Sequence, residues 1–231
     1  MASMAGEKME DSGMQNVSRK FRRLARALHA IVFIAFVLCT LSAYSASKTV
    51  TMLVMGDSLS AEYGLPRGSG WISLLEQRMR QEKIDTVIIN ASISGETTSG
   101  GRGRISSLLE KHHPDITIIE LGANDALRGL SLTATEANLH KMIDEAQDAK
   151  SKVLLVGMQI PPNYGSDYAR KFLEIYPKLA KKTKSSLVPF FFDGLIGKTD
   201  MFQPDRIHPT VEAQPVMLDT VWRYLQPLLK K

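Results

Sequence analysis

The feature that most constrains the fold is a strict alternation of two hydrophobic patterns after residue 48. Short, nearly continuous apolar runs are typical of strands buried on both faces, and apolar residues recurring every three or four positions are typical of helices. The runs are TVTMLVM (49–55), TVIIN (86–90), ITIIEL (116–121), KVLLVGM (152–158) and LVPFF (187–191). Their alternation with helical segments predicts an α/β fold, a parallel sheet with helices on both sides.

Apolar stripes at helical spacing fill the segments between the runs. Their members are Trp71, Leu74, Leu75, Met79, Ile105, Leu108, Leu109, Leu139, Met142, Ile143, Ala146, and in the last helix Leu218, Val221, Trp222, Leu225, Leu228 and Leu229. No internal repeat or low-complexity linker interrupts this pattern. A chain of this length is long enough to bury one sizeable core, so we predict a single domain over 46–231.

The first 45 residues have a different character. Five Lys and Arg residues in 18–29 precede an uncharged apolar stretch at 30–43, and small residues surround a cut after Ser45. This order is typical of a secretory signal peptide, and starts at Met4, Met9 or Met14 are compatible with it. The uncharged stretch is shorter than the ~20 residues that span a bilayer. Export, to the periplasm of a two-membrane bacterium, is therefore favoured over N-terminal membrane anchoring; secretion from the cell is the other alternative.

Charge and cysteine content exclude several classes of function. The chain has 29 Lys and Arg against 24 Asp and Glu, and six of the basic and three of the acidic residues lie in 1–45. Without that segment there is no polybasic excess, which argues against a nucleic-acid partner. The only cysteine, Cys39, lies in the same segment. A processed chain would therefore have no disulfide, no thiolate nucleophile and no cysteine-based metal site.

Polar motifs follow three of the predicted strands, and a fourth precedes the last helix. GDSLS follows the first strand, NASISGETTSGG the second and GANDALRG the third, whereas QPDRIHPT comes before the C-terminal helix. Taken alone, each has ordinary turn composition. In a parallel sheet, however, the site lies beyond the carboxyl ends of the strands. Their joint placement therefore predicts a common site.

The residue types at these positions suit acyl transfer. A serine hydroxyl needs a base, usually a histidine held by a carboxylate, and Asp205 and His208 have a spacing that lets one turn of chain pair them. We expect Ser58 to be the nucleophile, with Asp57 bracing its turn. The other histidines of the processed chain lie in predicted helices, where solvated positions are expected: His112, His113 and His140. This chemistry requires no metal and no cofactor.

The tetrahedral intermediate of acyl transfer also needs donors for its oxyanion. The backbone N–H of Ser58, the N–H of Gly95, which no side chain shields, and the side-chain amide of Asn124 are the candidates. Together with Ser58, Asp205 and His208, these donors give each of the four motifs a role.

GDSLS, the glycine of NASISGETT, GAND and DRIHP resemble the four sequence blocks of the SGNH (GDSL) hydrolases. Other segments, including IELGANDALRGL and IYPKLAKK, are similar to the bacterial periplasmic thioesterase, lysophospholipase and arylesterase members, and the resemblance covers about 50–228. It implies a flavodoxin-like three-layer α/β/α sandwich with a five-stranded parallel sheet in the order 2-1-3-4-5. It also implies Ser58, Asp205 and His208 as the catalytic triad, and Ser58, Gly95 and Asn124 as the oxyanion hole.

The resemblance further implies a substrate groove formed by the loops after the third and fourth strands. Leu127, Leu130, Ile160, Pro161 and Tyr164 could form an apolar wall for an acyl chain there. The alternative is that these are ordinary packing residues.

Two positions depart from common family patterns. Ala123 replaces a glycine found in some relatives, which should stiffen the loop before Asn124. Glu62 replaces a glycine found in many, which is expected to put a charge near the entrance of the site. Substrate preference is therefore not carried over from the family.

The expected function is a serine esterase that cleaves carboxylic ester and thioester bonds through an acyl-enzyme on Ser58. Expected substrates are small-molecule or lipid esters, namely lysophospholipids, fatty acyl thioesters and aryl or alkyl esters, and the protein is expected to be a monomer in transient contact with lipid surfaces. Two alternatives remain at this point. One is an acyltransferase or carbohydrate deacetylase with the same residues, and the other is a non-catalytic exported binding module.

Overall fold

Five parallel strands form one sheet in the order β2-β1-β3-β4-β5, which confirms the order implied by the family resemblance. Their bounds are β1 Val50–Gly56, β2 Thr86–Asn90, β3 Ile116–Glu120, β4 Lys152–Val156 and β5 Ser186–Val188. The first and third runs thus lie side by side at the centre of the sheet. Their carboxyl ends are in register, because Gly56 pairs with Glu120.

The computed structural model describes residues 49–230, together with Arg22, Arg26 and His29, which are helical and exposed. The sheet and its helices belong to one compact unit, Lys48–Lys231. The apolar stretch at 30–43 and the cut after Ser45 lie outside the described residues, so the signal peptide and the domain boundary stay predictions. Among the described residues, no helix has the length and apolarity needed to cross a membrane.

Helices cover both faces of the sheet, as the alternation predicted. Their bounds are α1 Trp71–Gln81, α2 Thr98–His112, α3 Ala123–Leu127, α4 Leu132–Asp148, α5 Ser166–Thr183 and α6 Gln214–Leu229, with 3-10 turns at Pro162–Tyr164 and Thr199–Met201. Helix α1 packs beside α6, whereas α2, α4 and α5 pack in that order against each other. The five strands lie between these two layers.

The apolar stripes of the helices form the core against the central strands. Met52–Met55 of β1 are fully buried, and all five residues of β3 are buried. From the helices, Trp71, Leu75 and Met79 of α1 are also fully buried. Because the central strands are tightly packed, their carboxyl ends, which the polar motifs follow, are rigid.

The two edge strands, β2 and β5, differ most from the predictions. Strand β2 was expected to be buried on both faces, but it lies at the sheet edge and Val87 is 51% exposed. Strand β5 was expected to reach residue 191, but it ends at Val188. Pro189 follows, and since proline has no N–H to donate, it cannot continue the ladder.

Candidate active site

Ser58 lies in a tight turn directly after β1. The carbonyl of Asp57 accepts the N–H of Ala61 at 3.0 Å, and its carboxylate oxygen Oδ1 accepts the N–H of Leu59 at 3.0 Å. A side chain at Gly56 would not fit, because its Cβ would lie 2.7 Å from Ser60 Oγ. The turn therefore closes against the sheet and leaves the half-buried Ser58 facing a cavity.

Asp205 and His208 lie in the loop before α6. Ser58 Oγ is 2.9 Å from His208 Nε2, and His208 Nδ1 is 2.6 Å from Asp205 Oδ2. The other oxygen, Asp205 Oδ1, accepts the N–H groups of Ile207 and His208 at 2.9 and 3.0 Å. The structure thus brings together three predicted residues that are up to 150 positions apart in the chain.

The carboxylate of Asp205 is held in its ionised form. Partial desolvation opposes this, but hydrogen bonds from the backbone and ring of His208 and from the Ile207 N–H outweigh it and lower the pKa of Asp205 from 3.8 to about 2. An ionised Asp205 accepts Nδ1–H and leaves Nε2 as the acceptor for the Ser58 hydroxyl. The Tyr63 ring packs 4.5 Å from the imidazole and further limits its rotation.

The predicted oxyanion donors lie after three strands: Ser58 in the turn after β1, Gly95 in the loop after β2 and Asn124 in helix α3 after β3. Asn124 Nδ2 donates one hydrogen to Asp57 Oδ2 at 2.9 Å, which leaves the second amide hydrogen for a substrate. Gly95 has a φ of 79°, and its carbonyl accepts Arg128 Nη2 at 2.9 Å. No described residue accepts the N–H of Ser58 or of Gly95. Asn124 and Ser58 line the cavity, whereas Gly95 lies outside its lining.

A buried carboxyl pair, Asp57 and Glu120, underlies the turn at Ser58, and only Asp57 of the two was predicted to take part. Glu120 is fully buried, and its Oε2 accepts the Ser60 hydroxyl at 2.7 Å and the Asp57 N–H at 3.3 Å. Trp71 Nε1 in turn donates to Ser60 Oγ at 3.2 Å. The contacts link β3 and α1 to the turn, and through Asp57 they reach Asn124.

Burial changes the protonation of this pair. Desolvation raises the pKa of Asp57 from 3.8 to about 6, against hydrogen bonds from Leu59 and Asn124 that lower it. Desolvation, followed by repulsion from Asp57, raises the pKa of Glu120 well above 4.5. The two side chains therefore hold protons at pH values where Asp205 is ionised.

A cavity of about 520 Å³ opens beside Ser58, and its walls are mainly apolar. Four of the five predicted groove residues line it: Leu127, Ile160, Pro161 and Tyr164. Leu130 does not. It is 43% exposed outside the cavity, and its carbonyl accepts the Tyr168 hydroxyl at 2.7 Å. The groove role of all five stays a prediction.

Sequence reasoning missed much of the cavity wall. The further apolar lining residues are Leu59, Ala123, Met158, Phe190, Phe192, Ile196, Phe202 and Ile207. Most follow β4 or β5 or lie in or near the DRIHP motif, so their position beyond strand ends was the available signal.

The structure places the two unusual residues in settings that the sequence did not predict, and their expected effects stay predictions. Ala123 lies in helix α3, not in a loop, and it is buried. The Glu62 carboxylate accepts the N–H groups of Gly68 and Gly70 and the hydroxyl of Ser73, and Glu62 does not line the cavity. Its charge therefore braces the following loop.

Comparisons with known proteins agree with this geometry. Residues 54–214 match the GDSL-like Lipase/Acylhydrolase family. The chain is 46% identical to Esterase TesA of Pseudomonas aeruginosa, over 78% of this chain and 89% of that protein. It is 38% identical to Thioesterase 1/protease 1/lysophospholipase L1 of Escherichia coli K12, over 84% and 92%.

A solved structure is similar over the same region. The esterase EstA from Pseudoalteromonas sp., inhibited by monoethylphosphonate, is 39% identical and superposes with a TM-score of 0.74, covering 78% of this chain and 99% of that one. The residues that match the family, 54–214, include all four motifs. The chain therefore belongs to the GDSL-like lipase/acylhydrolase family.

Proposed function

We propose that this protein is a serine esterase that hydrolyses carboxylic ester and thioester bonds, with Ser58, His208 and Asp205 as its triad. The observation that carries the proposal is the hydrogen-bonded line from Ser58 Oγ to His208 Nε2 at 2.9 Å and from His208 Nδ1 to Asp205 Oδ2 at 2.6 Å. Membership of a family whose relatives include an esterase and a thioesterase supports it.

In the first half-reaction, His208 Nε2 takes the hydroxyl proton as Ser58 Oγ bonds to the carbonyl carbon. The tetrahedral intermediate collapses, the bond to the leaving oxygen or sulfur breaks, and His208 returns the proton to that atom. Water then attacks the acyl-enzyme with His208 again as base, which releases the acid and restores Ser58. Asp205 holds the imidazole and stabilises its charged form.

The oxyanion of each intermediate is bound by the N–H groups of Ser58 and Gly95 and by the amide of Asn124. The contacts that support this role are the bond from Asn124 to Asp57 and the bond from Arg128 to the Gly95 carbonyl. Both fix a donor before substrate arrives, and preorganised donors are typically worth ~10²–10³-fold in rate each.

The apolar wall supports esters with a hydrocarbon acyl group. Phe190, Phe192 and Phe202 lie beside Ser58 in the cavity lining, with Leu127 and Ile160. A buried alkyl chain gains about 0.8 kcal/mol per methylene. Fatty acyl thioesters, lysophospholipids and aryl or alkyl esters are the substrate classes that follow, and Leu127, Ile160, Pro161 and Tyr164 are the proposed groove residues.

The proposal also covers the oligomeric state of the protein, its contact with lipid and its location. One chain supplies every residue of the triad and the cavity, so a monomer suffices for activity. Ile196 at 74% exposure and Ile207 at 44% present apolar surface at the cavity rim, which supports transient contact with lipid surfaces. In residues 18–43 a basic segment precedes an apolar one, and this order supports export, with the periplasm as destination in a two-membrane bacterium.

Hydrolysis of p-nitrophenyl esters, acyl-CoA and lysophosphatidylcholine tests this function. Ser58→Ala should lose hydrolysis and labelling by a fluorophosphonate, whereas the exposed-serine control Ser107→Ala should keep both. His208→Ala should label far more slowly than the unaltered protein. An inert wild type, or a Ser58→Ala variant that matches it, contradicts the proposal.

A further inference from the structure

Arg206 stands out in the lining of the cavity. It is the single lysine or arginine among the described residues that line it, in walls that are otherwise mostly apolar. Its guanidinium makes no hydrogen bond or ion pair with any described residue. The adjacent carboxylate of Asp205 is already occupied by His208 and two backbone N–H groups. The cation is therefore free to meet a ligand.

The backbone at this position does not call for an arginine. Arg206 has a φ of 57°, a left-handed conformation that glycine and asparagine adopt at lower cost. Most other non-glycine residues with positive φ lie at helix C-termini, where this conformation is common: Lys83, His113, Lys150 and Lys184. Glu62, the remaining one, is held by its carboxylate contacts. The backbone N–H of Arg206 donates to the Gln203 carbonyl at 2.8 Å, which closes a turn that does not itself require an arginine side chain.

The position of Arg206 relative to the triad indicates which part of a substrate it meets. His208 must deliver its proton to the leaving atom, so the leaving group lies on the imidazole side of Ser58. Arg206 is two residues from His208 and shares that loop. From this loop a guanidinium can meet the alcohol portion of an ester.

We propose that Arg206 binds the phosphate of a glycerophosphodiester leaving group, and that it selects lysophospholipids over uncharged esters of the same acyl chain. This rests on the esterase function proposed above. A planar guanidinium can donate two parallel hydrogen bonds to phosphate oxygens. In a lysophospholipid only the glycerol backbone separates the ester from the phosphate.

Two substrates with the same acyl chain, lysophosphatidylcholine and 1-monoacylglycerol, test the proposal below their micelle-forming concentrations. Arg206→Asn removes the charge, and asparagine tolerates the left-handed backbone. Arg206→Lys keeps the charge but cannot donate two parallel hydrogen bonds to a phosphate. Arg206→Asn should lower the kcat/KM ratio of the phospholipid to the monoacylglycerol by about 5- to 10-fold, the size of a partly exposed charge-assisted hydrogen bond. Arg206→Lys should fall between this variant and wild type.

A matched control and a second readout separate the possible outcomes. Arg223→Asn removes an exposed charge on α6, outside the cavity lining, and should leave the ratio unchanged. Glycerophosphocholine should inhibit aryl-ester hydrolysis by wild type and inhibit Arg206→Asn several-fold less. Equal losses on both substrates, or an unchanged ratio, overturn the role of Arg206 and leave the esterase function standing. A wild type inactive on every ester overturns both.

Discussion

Asp57→Asn should change the pH dependence of stability. Desolvation raises the pKa of Asp57 from 3.8 to about 6 in the folded protein, where the side chain is 1% exposed. An acid whose pKa is raised by folding stabilises the native state fully below its unfolded pKa, and this stability is lost as the pH rises through the folded pKa. A shift of about two units corresponds to about 3 kcal/mol.

The expected loss falls between pH 4 and pH 7. Glu120 adds to it with the same sign, since burial also raises its pKa. Asp205 acts in the opposite direction, because its lowered pKa removes stability only as the pH falls from 4 through about 2, and at 40% side-chain exposure its contribution is small. Wild-type protein should therefore lose about 3 kcal/mol or more of unfolding free energy on going from pH 4 to pH 7.

Urea unfolding at pH 4, 5, 6 and 7, followed by tryptophan fluorescence, measures this free energy. Asp57→Asn removes the titrating group and one source of the Glu120 shift, so its stability should vary with pH by about 3 kcal/mol less than wild type. Asp200→Asn, at an exposed carboxylate, is the control and should follow wild type. A wild-type stability that is flat or rises between pH 5 and pH 7, or equal slopes for Asp57→Asn and wild type, would refute the reasoning.

Two other substitutions test how the loops hold the site. Gly122→Ala should lower the unfolding free energy by about 2–3 kcal/mol in urea titrations, because φ is 118° and the new Cβ would lie 2.6 Å from the buried hydroxyl of Tyr176. Its control, Gly129→Ala, has a φ of 65° with open space around the new Cβ and should lower the unfolding free energy by only about 1 kcal/mol. Equal losses would contradict the steric argument. Arg128→Gln weakens the bond that holds the Gly95 carbonyl and should lower kcat for aryl esters about tenfold with little change in melting temperature; unchanged kcat would exclude a positioning role.

Local pattern predicted much of the fold. The nearly continuous apolar runs located all five strands, and the stripe through Trp71 and Met79 located a buried helix face. What periodicity cannot show is position within the sheet. Val87 has the same apolar character as its neighbours, yet its strand is an edge and half of its side chain is exposed. The order of the strands came from the family resemblance, and not from the pattern.

The site was predictable where chemistry is concentrated in short motifs. Ser58 was identified by its motif at a strand end, and His208 because the other histidines of the processed chain lie in predicted helices. The cavity wall was harder, since Phe202 and Ile196 lie in irregular chain with neither helical nor strand spacing. Glu120 is the last residue of the apolar strand β3. Only its tertiary contacts show that its carboxyl is buried beneath the turn at Ser58.

Asp57 and Asp205 are the same residue type, and both lie near Ser58 and His208. Their environments decide which of them can serve as the partner of the His208 ring. Asp57 adjoins Ser58 in sequence, but burial raises its pKa to about 6, and its oxygens already accept Leu59 N–H and the Asn124 amide. Asp205 is partly exposed and receives three hydrogen bonds from its own loop, which lower its pKa to about 2. An imidazolium needs a partner that is ionised whenever the imidazole is a competent base. Asp205 meets that condition across the neutral range, whereas a carboxyl that gains its proton near pH 6 would lose its charge at the lower edge of that range.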